Sequence, residues 1–152
     1  MKNWIAGSGL MLLVILFSAS GCGSSQNSLE ISEDEALAFK NQEADTVAIT
    51  DPDSNYEIII IEPGFNFWLA SIARPRGHYS QTFLENRNRL YVVQWNNRVL
   101  QPNRFDPLLY QLQINYSPQI DYGYEVNYKL YNYFIFFQRR YRTRLGPFIP
   151  RI

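Results

Sequence analysis

The chain of 152 residues contains one cysteine and one histidine. A single cysteine excludes an intramolecular disulfide framework and an all-cysteine zinc site. No G-x-S-x-G, no H-E-x-x-H and no Gly-rich phosphate loop occurs. No internal repeat is present, and the length suits one domain. Hydrophobic residues make up 46% and charged residues 18%, which excludes full-length disorder. The formal net charge is zero, but it is a cancellation. Residues 1–21 carry one charge, Lys2. Residues 22–57 carry nine acids and one base, Lys40, a net of −8. Residues 58–152 carry twelve bases and five acids, a net of +7. Segments with such different charge have separate jobs.

What is present begins with an address. Lys2 is followed by an apolar run from Leu10 to Phe17 and by small residues from Ser18 to Gly21. This is the layout of a signal peptide over residues 1–21. The run is shorter than the roughly 20 apolar residues that span a bilayer. Ala19-Ser20-Gly21-Cys22 resembles a bacterial lipobox. That resemblance implies cleavage before Cys22 and lipid, palmitate included, on its sulfur and new amino group. Several acyl chains hold a protein firmly, since each buried methylene adds ~0.8 kcal/mol.

Residues 22–55 read as a flexible acidic tether. Gly23 to Ser28 is small and polar. From Leu29 to Lys40 a short helix is expected, with Ser32 as N-cap and Glu35 three residues on. The stretch is acidic and has little to bury, so the expectation is a mobile or loosely docked spacer.

The folded domain is expected over residues 56–152. Ile58 to Ile61 reads as a buried strand. Tyr110 to Tyr116 alternates Tyr110, Leu112, Ile114 and Tyr116 with polar residues, the period of a second strand. Three helices are expected. The first runs from Phe67 to Ala73 with Asn66 as N-cap. The second runs from Thr82 to Leu100, with Thr82 and Glu85 as a capping box and Pro102 as the stop. The third runs from Tyr124 to Arg144 and is closed by Gly146-Pro147. The expected fold class is therefore α+β: a compact, mostly helical domain with a small antiparallel two-stranded sheet.

Helical spacing assigns faces. In the second helix Leu84, Tyr91, Trp95 and Val99 share one face. Phe83, Leu90, Val93 and Leu100 lie nearly opposite, which predicts a central helix packed on two sides. Asn88 falls on the first face, Asn86 and Asn97 on the second, and buried amides there would tie down loop backbone. In the third helix Val126, Leu130, Tyr133, Phe134, Phe137 and Tyr141 form a core stripe. Tyr124, Tyr128, Tyr131 and Ile135 form a second stripe, read as core or semi-core. Glu125 and Lys129 form an exposed i,i+4 pair.

The chemistry inventory is short. Catalysis needs an activated nucleophile, a placed acid/base pair or a metal. From residue 58 on the only acids are Glu62, Glu85, Asp106, Asp121 and Glu125. No cofactor and no metal site is expected, and no catalytic residue is assigned. The bases there are eleven arginines and one lysine, among twenty aromatic residues. Arginine forks suit carboxylates and phosphates and stack on rings. Export argues against nucleic acid as the partner. Arg139, Arg140, Arg142 and Arg144 suit a helix C-terminus. Arg74, Arg76, His78, Arg87 and Arg98 are the candidate binding residues, for an envelope protein or an anionic glycan or lipid.

Several motifs belong together: Arg74-Pro75-Arg76-Gly77, Glu85-Asn86-Arg87-Asn88-Arg89, Trp95-Asn96-Asn97-Arg98, Gln101-Pro102, Ile114-Asn115-Tyr116, the run from Asp121 to Asn127, and Leu145-Gly146-Pro147-Phe148. As a set they resemble small Bacteroidota lipoproteins classed as a domain of unknown function. The resemblance covers roughly residues 56–152. It implies a Gram-negative envelope lipoprotein and supplies no activity. In that phylum an acidic patch directly after the lipidated cysteine marks export to the cell surface. Gly23 to Ser28 lacks one, which points to the periplasmic face of the outer membrane. The expected function is non-catalytic binding there. Two alternatives stand beside it: a small hydrolase-like enzyme using His78 with Glu85 or Ser80, and a structural subunit presenting the Tyr124/Tyr128/Tyr131 stripe.

Overall fold

The computed structural model describes residues 29–40, 46–50 and 57–152. The expected signal peptide, Cys22 and residues 23–28 lie outside the described residues. The helices are α1 (Glu33–Lys40), α2 (Phe65–Ser71), α3 (Gln81–Val99) and α4 (Gly123–Arg140).

α4 organises the body. Its sequence is apolar or aromatic on nearly every face, and every residue from Leu130 to Arg139 is buried. A helix hydrophobic all round must be covered all round. α3 covers one side: Tyr91 meets Phe134 at 5.4 Å between ring centroids, and Trp95 meets Phe137 at 4.8 Å. α2 covers the opposite side, with Phe65 and Trp68 on Phe136 at 5.5 and 5.6 Å. α1 lies beside α2 and adds Phe39 to the same ring, at 5.5 Å. Edge-on and tilted pairs of this kind contribute about 0.5–1.5 kcal/mol each beyond area burial. The contacts Asn88–Asn127, Tyr91–Tyr131 and Trp95–Phe137 rise together in number, so α3 and α4 run parallel.

Parallel neighbours need a return segment, and residues 100–122 supply it. This corrects the expected fold class. Tyr110–Tyr116 is irregular, not a strand, and no strand occurs among the described residues from 62 onward. The body is helical, not α+β with a two-stranded sheet. Among the described residues, strand pairing occurs only at Thr46–Thr50, within the expected tether, and Glu57–Ile61, which lie antiparallel. The physical reason for the correction is a substitution of partners. The amide of Asn96 spans Ile114 as a neighbouring strand would: Nδ2 donates to Ile114 O at 2.9 Å, and Ile114 N donates to Oδ1 at 2.8 Å. Trp95 Nε1 donates to Leu112 O at 2.8 Å, and Arg89 to Pro118 O at 3.2 Å. The segment's backbone is satisfied by side chains of α3, so it needs no ladder.

Helix ends differ from expectation for local reasons. Gly64, at φ 81°, opens α2 two residues earlier than Asn66 suggested. Ser80, not Thr82, caps α3, its Oγ accepting from Phe83 N at 3.2 Å. α4 ends four residues before Arg144. Arg142 turns to φ 47°, Thr143 N donates to Gln138 O at 3.0 Å and Arg142 N to Arg139 O at 3.4 Å. That is a Schellman closure with arginine in the glycine position. Buried Gln138 then fixes the exit, with Oε1 accepting from Leu145 N at 2.7 Å.

The second face of α3 is also corrected. Leu90, Val93 and Leu100 are exposed, and of that face only Phe83 packs, against Tyr79 and Tyr131, so α3 is largely bare there. Asn86 and Asn97 are exposed, while Asn88 is buried. Tyr128, Tyr131 and Ile135 are buried and Tyr124 half-buried, so the tyrosine stripe is core. Glu125 pairs with Arg76 at 2.7 Å, in place of the pair expected with Lys129.

Candidate functional site

The described residues present three polar centres. The first holds three of the five candidate binding residues, on the turn between α2 and α3. Arg74, Arg76 and His78 are all exposed there. Arg74 donates to Ile152 O at 2.9 Å, and its own carbonyl accepts from Tyr128 Oη at 2.7 Å. Arg76 bonds Glu125 at 2.7 Å and lies 4.8 Å over the Tyr128 ring. Gly77, at φ 83°, allows the turn, and its N–H donates to Tyr124 Oη at 2.7 Å. His78 sits edge-on to Tyr79 at 4.5 Å.

The other two candidates are placed elsewhere. Arg87 lies 3.3 Å over the Phe148 ring and 5.1 Å over Phe83. Arg98 donates to Tyr110 Oη at 2.5 Å, to Thr143 Oγ1 at 2.9 Å and to the carbonyl of Arg144. These two guanidiniums pin the chain after α4 onto α3. Of the residues in the hydrolase alternative, Ser80 Oγ caps α3, Glu85 accepts from Gln81 Nε2 at 2.9 Å, and His78 is exposed beside Tyr79.

The second centre gathers the motif residues Glu85, Asn88, Arg89, Tyr116, Asp121 and Asn127. Gln81 Nε2 bridges Glu85 and Asp121, at 2.9 Å to each. Arg89, Tyr116 and residues 118–120 complete a cleft of about 400 Å³. Below it Tyr116 Oη donates to Asn127 Oδ1 at 2.7 Å, and Asn88 Nδ2 donates to the same oxygen at 3.1 Å. Burial, then the Glu85 carboxylate, pushes the Tyr116 hydroxyl up to about 12, so it stays a donor at neutral pH. Asn88 Oδ1 is buried with no hydrogen-bond partner among the described residues. Carboxylates and a guanidinium facing one cleft suit a small hydroxylated or zwitterionic molecule, but both acids already hold Gln81.

The third centre was missed in the sequence. Glu35 and Arg139 are both buried. Arg139 Nε and Nη2 each donate to the Glu35 carboxylate at 2.5 Å. Trp68 Nε1 adds a bond to Glu35 at 3.2 Å. Arg139 also donates to Pro150 O at 3.0 Å and to Glu30 O at 2.8 Å. A bidentate fork with its spare donors on carbonyls is the geometry in which a buried pair is satisfied. The expectation of a mobile or loosely docked spacer is therefore corrected for residues 29–40. Ser32 does cap α1, accepting from Glu35 N at 3.2 Å, and the helix is clamped to the body. A cleft of about 510 Å³ opens beside the clamp, lined by residues 29–32, Arg139 and residues 149–152.

Among the described residues no group of three or more His, Cys, Asp or Glu side chains is placed to hold a metal ion. Among them, too, no helix is long and apolar enough to cross a membrane. No curated protein and no solved structure matches the chain. Residues 10–148 match a family described as a family of unknown function, DUF6146. That match spans the apolar N-terminal run, the clamped helix and the whole helical body, and the chain belongs to this family.

Proposed function

We propose that the chain is an envelope lipoprotein of the Bacteroidota kind. Cys22 anchors it by lipid to the outer membrane of a Gram-negative cell, facing the periplasm, and it binds an envelope component without catalysing a reaction. The observation that carries the reading is Ala19-Ser20-Gly21-Cys22, with the chain's only cysteine directly behind a short apolar run. An exported lone cysteine otherwise leaves an unpaired thiol.

The binding element we favour is the turn holding Arg74, Arg76 and His78. What supports it is exposure combined with rigidity. Arg74 is held by Ile152 O, Arg76 by Glu125 and the Tyr128 ring, and each guanidinium has further N–H donors beyond those bonds. Arg87 and Arg98 are the less favoured candidates, since Arg87 lies over Phe148 and Arg98 holds the chain after α4. The partner class is an envelope protein or an anionic glycan or lipid.

Radiolabelled palmitate should enter the wild-type protein and be absent from Cys22→Ala. Pull-down from solubilised membranes should lose the bound partner with Arg74→Ala/Arg76→Ala while lipidation persists. An unchanged set of partners would discard this turn as the site.

A further inference from the structure

The clamp between Glu35 and Arg139 changes what an anchor at Cys22 means for orientation. Read from sequence, about thirty residues separate the anchor from the domain. In the structure the chain joins the body at Leu29 and Glu30, because Arg139 holds both the Glu30 carbonyl and the Glu35 carboxylate. Six residues, Gly23 to Ser28, then lie between the anchor and the body, making seven residue steps from Cys22 to Leu29. Fully extended at ~3.3–3.6 Å per residue, they reach at most about 25 Å.

The body is wider than that. A compact domain of roughly 110 residues has a radius of gyration near 13 Å, hence a diameter of about 34 Å. A leash of this length cannot pass around the body to its far side. α1 and α3 cover opposite sides of α4: Phe39 meets Phe136, while Tyr91 meets Phe134, two residues away and on the other face. The outer face of α3, with Leu90 and Val93 exposed, therefore cannot be the side against the anchor.

We infer that the membrane-facing surface is the rim of the Arg139 cleft, formed by residues 29–32 and 149–152, and that its partner is a bilayer of zwitterionic phospholipid. The chemistry of the rim fits that partner. Half-buried Leu29, Ile31, Ile149 and Ile152 offer apolar surface at the cleft. Exposed Glu30 on the rim suits a headgroup ammonium, and exposed Arg151 suits its phosphate. The inference rests on the lipid-anchor reading above. It adds that the protein sits close to the bilayer in one orientation, with α3 turned away.

The lipidated full-length protein supplies its own clean background, since acylated Cys22 leaves no free thiol. Single cysteines at Glu30→Cys and Arg151→Cys on the rim, and at Asn86→Cys and Asn97→Cys on α3, carry a fluorophore. The protein is placed in phosphatidylethanolamine–phosphatidylcholine vesicles containing headgroup spin-labelled lipid. Quenching should be several-fold stronger at the two rim positions than at the two α3 positions. Inserting a long Gly/Ser spacer between Ser28 and Leu29 should shrink the difference. Equal quenching in protein that has incorporated palmitate, or stronger quenching on α3, overturns the orientation and leaves the anchor standing. Absence of palmitate overturns both.

Discussion

Glu35 and Arg139 lie 104 residues apart in sequence and form the most buried ion pair among the described residues. Its worth is conditional. Two charges taken from water regain only what their geometry returns, so the pair as a whole contributes little net stability. Removing one partner is different, because the survivor keeps its charge in a place without water. Glu35→Ala should lower the unfolding free energy by about 3–5 kcal/mol. The double variant Glu35→Leu/Arg139→Met should recover most of that loss, since both charges leave together. Urea unfolding midpoints decide it, and an equal loss in single and double variants would show that the charge pair is not the cause. Neither residue was legible as a pair. Glu35 reads as part of a capping pattern and Arg139 as a cation at a helix end. Both readings hold locally, and neither carries information about a contact across 104 residues.

At the scale of elements, helix existence was legible and helix ends were not. α3 shows the reason. Thr82 with Glu85 satisfies the capping-box spacing, yet the chain starts the helix one residue earlier and uses Ser80, whose backbone is extended at ψ 155°. Thr82 then lies inside the helix and not at its N-cap, and Glu85 accepts from Gln81. Ser80→Ala should cost about 1 kcal/mol in thermal or denaturant unfolding, while Thr82→Ala should leave stability nearly unchanged. The reverse ranking would restore the capping box. The return segment teaches the same lesson for strands. Alternation in Tyr110 to Tyr116 reports one buried and one wet face, and that is true of an extended chain on a helix as much as in a sheet. Asn96 decides between them by taking both backbone groups of Ile114, and no period in the sequence signals a side chain acting as a strand.

Over its described residues the molecule is a central aromatic helix covered from opposite sides, with the acidic helix α1 brought back against it. The unit that folds therefore begins near residue 29 and not near residue 56. A variant starting at residue 29 should unfold at the temperature of the full-length chain. One starting at residue 42 lacks α1, leaves Arg139 without its carboxylate and uncovers Trp68 and Phe136. It should melt well below the first variant or aggregate, as read by circular dichroism on heating. Matching melting curves would show that α1 is dispensable.

The sequence by itself determined the quantities that depend on neighbours along the chain. These are the segregation of charge into −8 and +7 segments, the aromatic helix α4 and its burial, and the Ser32 cap. Each follows from composition, periodicity or local hydrogen bonding. The tertiary structure alone decided which acid meets which base, which face of α3 stays bare, and that residues 110–116 lie on a helix instead of in a sheet. The physical reason is common to all three. A charge, an apolar face or an unpaired carbonyl states a need, and any suitably placed partner satisfies it. Only packing around α4 selects the partner.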